Sequence, residues 1–442
     1  MTNTQKTTQN TLSQKVAVLL ANMEKSQYLK LEQLEKMQFL QLVQLAAYAA
    51  EHSTWFAKRF KESGIAANEL TSLLALRKLP ILTRRELQLN AAEIYCRKIP
   101  ANHTPVAKVK TSGSSGQPVE VFRNLHTQLY WLAHGLREHL WHKRNFKGKL
   151  AAVRANLDGN KITVRADWGE PVSLLYQSGT AIAIPINMNV SDQLKILKEF
   201  DADYLLIYPN NLAAILDEMR LSKKKLGNLK QIRTIGETLS PALRSRVKKQ
   251  LGVGIADMYS SQEVGNIAIE CPVSGLYHIM AENLIVEVLD ENGEQCSPGE
   301  TGRVVVTDLI NYATPLLRYD IGDYAEVGMR CSCGRNLQTL KRIMGRTRNM
   351  LIVNGEKRWP LVGFHDYCKV APVVQYQLIQ KTSELIEVRL VVEKALNKKQ
   401  EKDLAKIINE ALQHNFKLKF TYFEKQIPRS ATGKFEEFIC EI

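Results

Sequence analysis

The chain has 442 residues, 45% of them hydrophobic, with a formal net charge of +15 and a pI near 9.3. That length suits two or three domains, and that apolar fraction excludes wholesale disorder. No apolar run approaches the roughly 20 residues of a membrane-crossing helix, so no membrane insertion is expected. The basic excess points to nucleic acid, a membrane surface, or acidic small molecules and carrier proteins. Short runs such as Lys223-Lys224-Lys225 read as solvated helix faces. They form neither an arm nor an aromatic-interleaved stripe, so no nucleic-acid partner is expected. The polar start, 1–14, reads as a disordered tail without the apolar core of a signal peptide, which places the protein in the cytoplasm. Seven cysteines in such a compartment argue for metal or chemistry over a disulfide framework.

In chain order, Gln27 to Lys61 reads as helix, with Leu34, Leu42, Leu45 and Ala49 on one face. Leu79 to Thr83 reads as a turn into a helix, with Thr83 an N-cap before Arg84-Arg85-Glu86. Then comes Thr111-Ser112-Gly113-Ser114-Ser115-Gly116-Gln117-Pro118. Small hydroxylated residues and two glycines let backbone N–H groups and hydroxyls approach a polyphosphate. By composition alone such an octamer is more often a linker. It is not a Walker A loop, because Gly116 is followed by Gln117 and Pro118 rather than lysine. A cation for phosphate must therefore come from elsewhere. A helix beginning near His126 is expected behind this loop, and its His126, His134, His139 and His142 read as surface or core-edge residues.

From about 150 to 253 short apolar runs alternate with amphipathic helices, the pattern of βαβ units. Two turns follow strands there: Gly236-Glu237-Thr238, and Tyr259-Ser260-Ser261-Gln262-Glu263. Ligands of open α/β sheets sit beyond such strand ends. From Glu282 to Val327 the pattern is β, and Leu316 to Asp323 sets two carboxylates near a glycine turn. A boundary falls around Gly345 to Asn354. The remainder alternates strand, amphipathic helix and strand, and closes on Ile427 to Lys434. The fold expected is α/β: a large N-terminal α/β domain over 15–345 with a β subdomain, plus a small mobile C-terminal α+β domain over 346–442.

Cys331 and Cys333 sit on a short knuckle, with Cys271 and His278 upstream. Three thiols and an imidazole would complete a tetrahedral structural Zn²⁺ site. Chance placement of reduced thiols is the alternative. Cys96, Cys296, Cys368 and Cys440 have no evident partners.

Taken in this order, the segments resemble the adenylate-forming superfamily of acyl-CoA synthetases, luciferases and peptide-synthetase adenylation domains. Within it they are most similar to the phenylacetate–CoA ligase branch, over nearly the whole chain as far as Lys434. The resemblance implies that Thr111 to Gly116, by way of Thr111, Ser112, Gly113, Ser114, Ser115 and Gly116, holds the ATP phosphates. It places Gly236, Glu237 and Thr238 against adenine, together with the motif Tyr259, Ser260, Ser261, Gln262 and Glu263. Tyr259 would offer an aromatic face and Glu263 an oxygen ligand for Mg²⁺. Asp323 would accept from the ribose hydroxyls, Arg346 would help hold ribose or phosphate, and Lys434 would bridge the substrate carboxylate and α-phosphate. Similar Cys/His placements occur in this branch.

The implied activity is that of an ATP-dependent, AMP-forming acid–thiol ligase. It would join an aryl or apolar carboxylic acid to coenzyme A through an acyl adenylate. The small apolar segment Tyr176 to Asn187, expected beside the acyl pocket, is what points to an apolar or aromatic acid. Arg348 and Asn349 stand where relatives carry acidic hinge residues, and Tyr-Ser-Ser-Gln-Glu replaces a motif that often holds Gly and Ser or Thr. The altered hinge keeps other acceptors open: an acyl carrier protein, an amine or a hydroxyl. A non-catalytic nucleotide- or nucleic-acid-binding homologue is the alternative from a different class, and a homodimer is left open.

Overall fold

A computed structural model of the chain describes residues 3–111, 118–155, 157, 161–346, 349–358, 360, 367, 370–424, 427–428 and 435–442. Ser112 to Gly116, Arg348, Cys368 and Lys434 therefore lie outside the described residues. The main strands are β1 (Ala107–Lys110), β2 (Glu120–Arg123), β3 (Leu150–Arg154), β4 (Thr163–Arg165), β5 (Ala181–Pro185), β6 (Tyr204–Ile207) and β7 (Gln231–Ile235). They continue with β8 (Gly254–Ser261), β9 (Gly265–Glu270), β10 (Tyr277–Ile279), β11 (Leu284–Leu289), β12 (Thr301–Asp308), β13 (Tyr319–Val327) and β14 (Thr339–Arg346). All but the β1–β2 hairpin join one 12-stranded sheet, ordered β11-β12-β13-β14-β10-β9-β8-β7-β6-β3-β5-β4. The run β5-β3-β6-β7-β8 is parallel. From β8 to β11 neighbours are antiparallel. The expected β region is thus a continuation of the same sheet.

Each βαβ unit forms because its strand alternates and its helix carries one apolar face. In β3, Ala151 and Val153 are buried while Leu150, Ala152 and Arg154 are not. The buried set packs with Ile182, Leu205 and Ile232 under helices Val190–Phe200, Pro209–Ser222 and Pro241–Leu251. Helix starts are chemically marked: Pro209 and Pro241 stand in first turns, and Ser240 accepts from the Leu243 amide. The opposite face is covered by helix Leu125–Trp141, capped by Asn124, and by the N-terminal helix Asn3–Ser26. The segment expected to be a tail over 1–14 is thus helical backbone from Asn3 onward. The single helix expected over Gln27 to Lys61 is two, Leu31–His52 and Thr54–Ser63. Ser53 breaks them because its hydroxyl accepts from the Phe56 amide and caps the second.

The C-terminal unit has a four-stranded sheet, Lys417–Phe423, Leu385–Val392, Val373–Gln380 and Phe438–Cys440 in spatial order. Helix Lys398–Leu412 packs on it through Leu404, Ile408 and Leu412. No helix among the described residues is long and apolar enough to cross a membrane.

One buried ion pair ties the N-terminal helix to the sheet. Arg137, 0% exposed, meets Glu282 at 2.6 and 3.1 Å and donates to the Met23 carbonyl at 2.7 Å. Ser26 donates to the same carboxylate at 2.8 Å. Removing one member leaves a buried charge without its counterpart. Arg137→Met is expected to cost about 3–5 kcal/mol of stability. The double variant Arg137→Met/Glu282→Gln should recover part of that loss, with urea unfolding as the measurement.

Candidate active site

The parallel strands end in a cleft of about 1770 Å³ lined by Thr111, Gly236, Tyr259, Glu263, Asp323 and Arg346, among others. The chain reaches it through tight turns. Gly236 has φ +77°, and a Cβ there would lie 3.2 Å from the Tyr208 ring. Only glycine suits both the turn and the close approach.

Tyr259, at the end of β8, is 7% exposed, and its hydroxyl donates to Asp323 Oδ2 at 2.8 Å. Burial, then the neighbouring Asp323 charge, push this phenol well up. Arg346 lies opposite Asp323 in the β13–β14 ladder, its Nε 3.5 Å from Oδ1. Burial works against the Arg346 charge, but Asp323 and Glu263 outweigh it and raise its pKa. Tyr259 therefore fixes the Asp323 carboxylate as well as lining the cleft.

A cation stands at the Thr111 end of the Ser/Gly stretch, on a residue not singled out from the sequence. Arg84 opens the short helix Arg84–Leu89 behind the Thr83/Glu86 capping box. Its guanidinium donates to Glu263 Oε1 at 2.9 Å and to the Thr111 hydroxyl at 3.0 Å. Glu263 is 3% exposed, and the Tyr319 hydroxyl lies 3.5 Å from its Oε1. Thr111 also accepts from the Val119 amide at 2.8 Å, which closes the base of the loop. The only sequence signal for Arg84 was its place just after a capping threonine. Ser260, Ser261 and Gln262 link Tyr259 to Glu263. Arg123 donates to the Gln262 carbonyl, and Ser261 Oγ accepts from the Val264 amide at 3.2 Å.

Glu237 is occupied in a way its motif did not reveal. Its carboxylate accepts from the backbone and side chain of Asn210, each at 3.0 Å. Asn210 in turn donates to the Phe435 carbonyl at 2.6 Å, and the Phe435 amide lies 3.4 Å from Glu237 Oε1. The residue that follows Lys434 in sequence is thus held at the Gly236–Thr238 turn. Thr238 itself faces Gly345: a Cβ there would lie 3.2 Å from its hydroxyl.

Away from the cleft, Cys271, His278, Cys331 and Cys333 converge, their ligand atoms all within 4.8 Å of one another. Cys331 and Cys271 sulfurs are 3.7 Å apart, and His278 Nε2 lies 3.2 Å from Cys333 Sγ. A tetrahedral ion with Zn–S bonds of about 2.3 Å would set sulfurs about 3.8 Å apart. His278 Nδ1 lies 3.4 Å from the Leu337 carbonyl, which can only accept. That leaves the Nε2 lone pair facing the thiols, the orientation a metal ligand needs. Burial lowers His278 to about 4, so it is neutral. The donor set fits a structural metal, one that would join the β9–β10 hairpin to the loop before β14. Cys96, Cys296 and Cys440 lie outside this cluster.

The model of the CapK C-terminal domain family matches residues 358–441. A phenylacetate–coenzyme A ligase of Thermus thermophilus is 28% identical over 221 residues, 48% of this chain and 49%, about half, of that protein. One from Aromatoleum evansii is 22% identical over 400 residues, 84% of each chain. Among solved structures, 2-hydroxyisobutyryl-CoA ligase in the postadenylation state aligns with a TM-score of 0.74 at 16% identity, covering 94% of this chain and 91% of that one. The chain has the fold of the adenylate-forming ligases and is similar in sequence to the phenylacetate–coenzyme A ligases.

Proposed function

We propose that the protein is an ATP-dependent, AMP-forming ligase that activates a carboxylic acid as its acyl adenylate and passes the acyl group to coenzyme A. The convergence of Thr111, Arg84 and Glu263 with Tyr259, Asp323 and Arg346 around one cleft carries this reading. Relatives named as acyl-CoA ligases support it.

In the first step a carboxylate oxygen attacks the α-phosphorus of ATP and pyrophosphate leaves. The Asp323 carboxylate, an acceptor only, binds the ribose hydroxyls, and Arg346 beside it faces the phosphate side. Arg84 stands at the base of the Thr111 loop, where it would meet the departing pyrophosphate charge. Glu263 fits an Mg²⁺ site: it is a cleft-lining carboxylate whose Oε1 holds Arg84, while Oε2 accepts no hydrogen bond from the described residues. Bound there, Mg²⁺ would neutralise charge on the phosphates. Lys434, from the small domain, is assigned to the substrate carboxylate and α-phosphate. In the second step the thiol sulfur of coenzyme A attacks the acyl carbonyl and AMP leaves. Preorganised charge, rather than proton transfer by a general base, does most of the catalytic work in this scheme. The apolar cleft wall, including Ala181, Ile182 and Ala183, favours an acid with an apolar body.

The exchange of labelled pyrophosphate into ATP across a panel of acids tests this. It should depend on one acid class, and Lys434→Ala should slow it roughly 10²–10³-fold. If exchange fails with every acid while ATP binds normally, the reading is wrong. Asp323→Asn keeps the shape but weakens a charged acceptor. It should raise the KM for ATP about 10–100-fold while leaving the KM for the acid nearly unchanged.

We further propose that Cys271, His278, Cys331 and Cys333 hold one Zn²⁺ in a structural role. Protein purified without chelator should carry one zinc per chain by atomic emission. Cys333→Ala should lose it and melt at lower temperature. Metal-free protein of unchanged stability would exclude the site.

A further inference from the structure

The cleft extends beyond the nucleotide turns, across β6, β3, β5 and β4. Its wall there is built from the strand residues that do not face the helices: Ala152 and Ala183 are small and half-buried, and Thr163 pairs across from Ala183. Helix Leu125–Trp141 approaches from the other side, with Gly135 so close to Pro171 that a Cβ would lie 2.9 Å from its ring.

Two cations border this space. Arg154 ends β3 on the same face as Ala152, and Arg165 ends β4. Neither guanidinium has a hydrogen bond or ion pair with any described residue. The other arginines lining the cleft each hold a carboxylate: Arg233 holds Glu138 at 2.9 Å, Arg244 Glu270 at 2.9 Å, Arg246 Asp217 at 2.7 Å, Arg342 Glu326 at 2.7 Å and Arg346 Asp323 at 3.5 Å. Both side chains are exposed on that wall rather than packed into the core. Two guanidiniums on one cleft wall, with no carboxylate of the described residues bound to either, suit a ligand that brings an anion. A guanidinium fork suits a carboxylate or phosphate oxygen pair.

We propose that the acid activated here has an apolar body and a second anionic group, and that Arg154 and Arg165 hold that group. This rests on the ligase reading above. An anion at this place could also come from the phosphates of ATP or of coenzyme A, and the experiment separates the three sources.

Matched acids differing by one carboxylate are compared: phenylacetate with 4-carboxyphenylacetate, and hexanoate with adipate. Pyrophosphate exchange is measured for the wild type, Arg154→Met, Arg165→Met and the double variant. This half-reaction contains no thiol, so coenzyme A cannot contribute. The expected result is a kcat/KM for at least one dianion about 10–100-fold above that of its monoanion. The double variant should abolish the preference, with the KM for ATP within about twofold of wild type. Equal use of both members of each pair overturns the proposal. So does a double variant whose KM moves for ATP, or for coenzyme A in the complete reaction, with the acid preference unchanged. Calorimetric titration of AMP-loaded protein with each acid gives a readout that needs no turnover. A preference for the dianion that is lost in the double variant supports the proposal even where exchange is silent, an outcome that would count against the ligase reading alone. Equal binding within each pair, or binding of neither acid, overturns it.

Discussion

Asp323 is held from two directions, by the hydroxyl of Tyr259 at 2.8 Å and by Arg346 at 3.5 Å, and the geometry of the cleft depends on that grip. Tyr259 belongs to β8, the last strand of the parallel half, whereas Asp323 and Arg346 belong to β13 and β14 in the antiparallel half. Four strand spacings separate β8 from β13 in the sheet order. Laid flat, that is about 19 Å. A hydrogen bond between them requires the antiparallel half to coil back over the ends of the parallel strands, an extension of the twist every sheet carries. The coil makes a cleft of what would otherwise be an open edge. The buried Tyr259 hydroxyl and the Asp323 carboxylate satisfy each other's bonding.

Charge in the site is organised in pairs. Arg84 bridges Glu263 and Thr111, so one cation spans the proposed phosphate and metal positions. Its place is set locally: the capping box of Thr83 and Glu86 fixes the first turn of its helix, and the bridge between Leu82 and Tyr319 ties that turn to β13. A guanidinium on a rigid first turn is preorganised at little entropic cost, which a long lysine in a glycine-rich loop would not be. The Arg154 and Arg165 pair stands apart because no carboxylate of the described protein answers it. The bonds from Asn210 to Glu237 and Phe435 serve another purpose, linking the Gly236–Thr238 turn to the residue just after Lys434.

The cysteine–histidine cluster joins the β9–β10 hairpin to the loop between β13 and β14. Three thiol or thiolate sulfurs and one imidazole pack within 4.8 Å. Trp141 meets the His278 ring edge-on at 5.6 Å, and Ser274 lies 3.0 Å from Cys331 Sγ. A single ion there would cross-link two loops whose sequence separation is about 60 residues. The strands it clamps are those that must coil to bring Asp323 to Tyr259.

Much of this was legible in the sequence because it is local. Period-two and helical patterning located the strands and helices of the parallel half, and Thr83 was readable as a cap because its chemistry lies within three residues. Gly236 was readable as part of a turn for the same reason. The motif set from Thr111 to Arg346 named the cleft, and the Cys271/His278/Cys331/Cys333 set could be proposed from ligand type alone. The helix break at Ser53 was missed because one side-chain hydrogen bond overrides an otherwise continuous apolar stripe. The helical backbone from Asn3 was missed because a polar segment gives no periodic signal. What only the tertiary structure decided was which distant side chains share a partner. Arg84 meets Glu263 across 179 residues, Asn210 meets Phe435 across 225, and the coil of the sheet joins Tyr259 to Asp323. Sequence determines each residue's chemistry and its place along an element. Which charge neutralises which is fixed only when twist and packing bring the elements together, because electrostatic and hydrogen-bond pairing depends on distances of a few ångströms that no local pattern encodes.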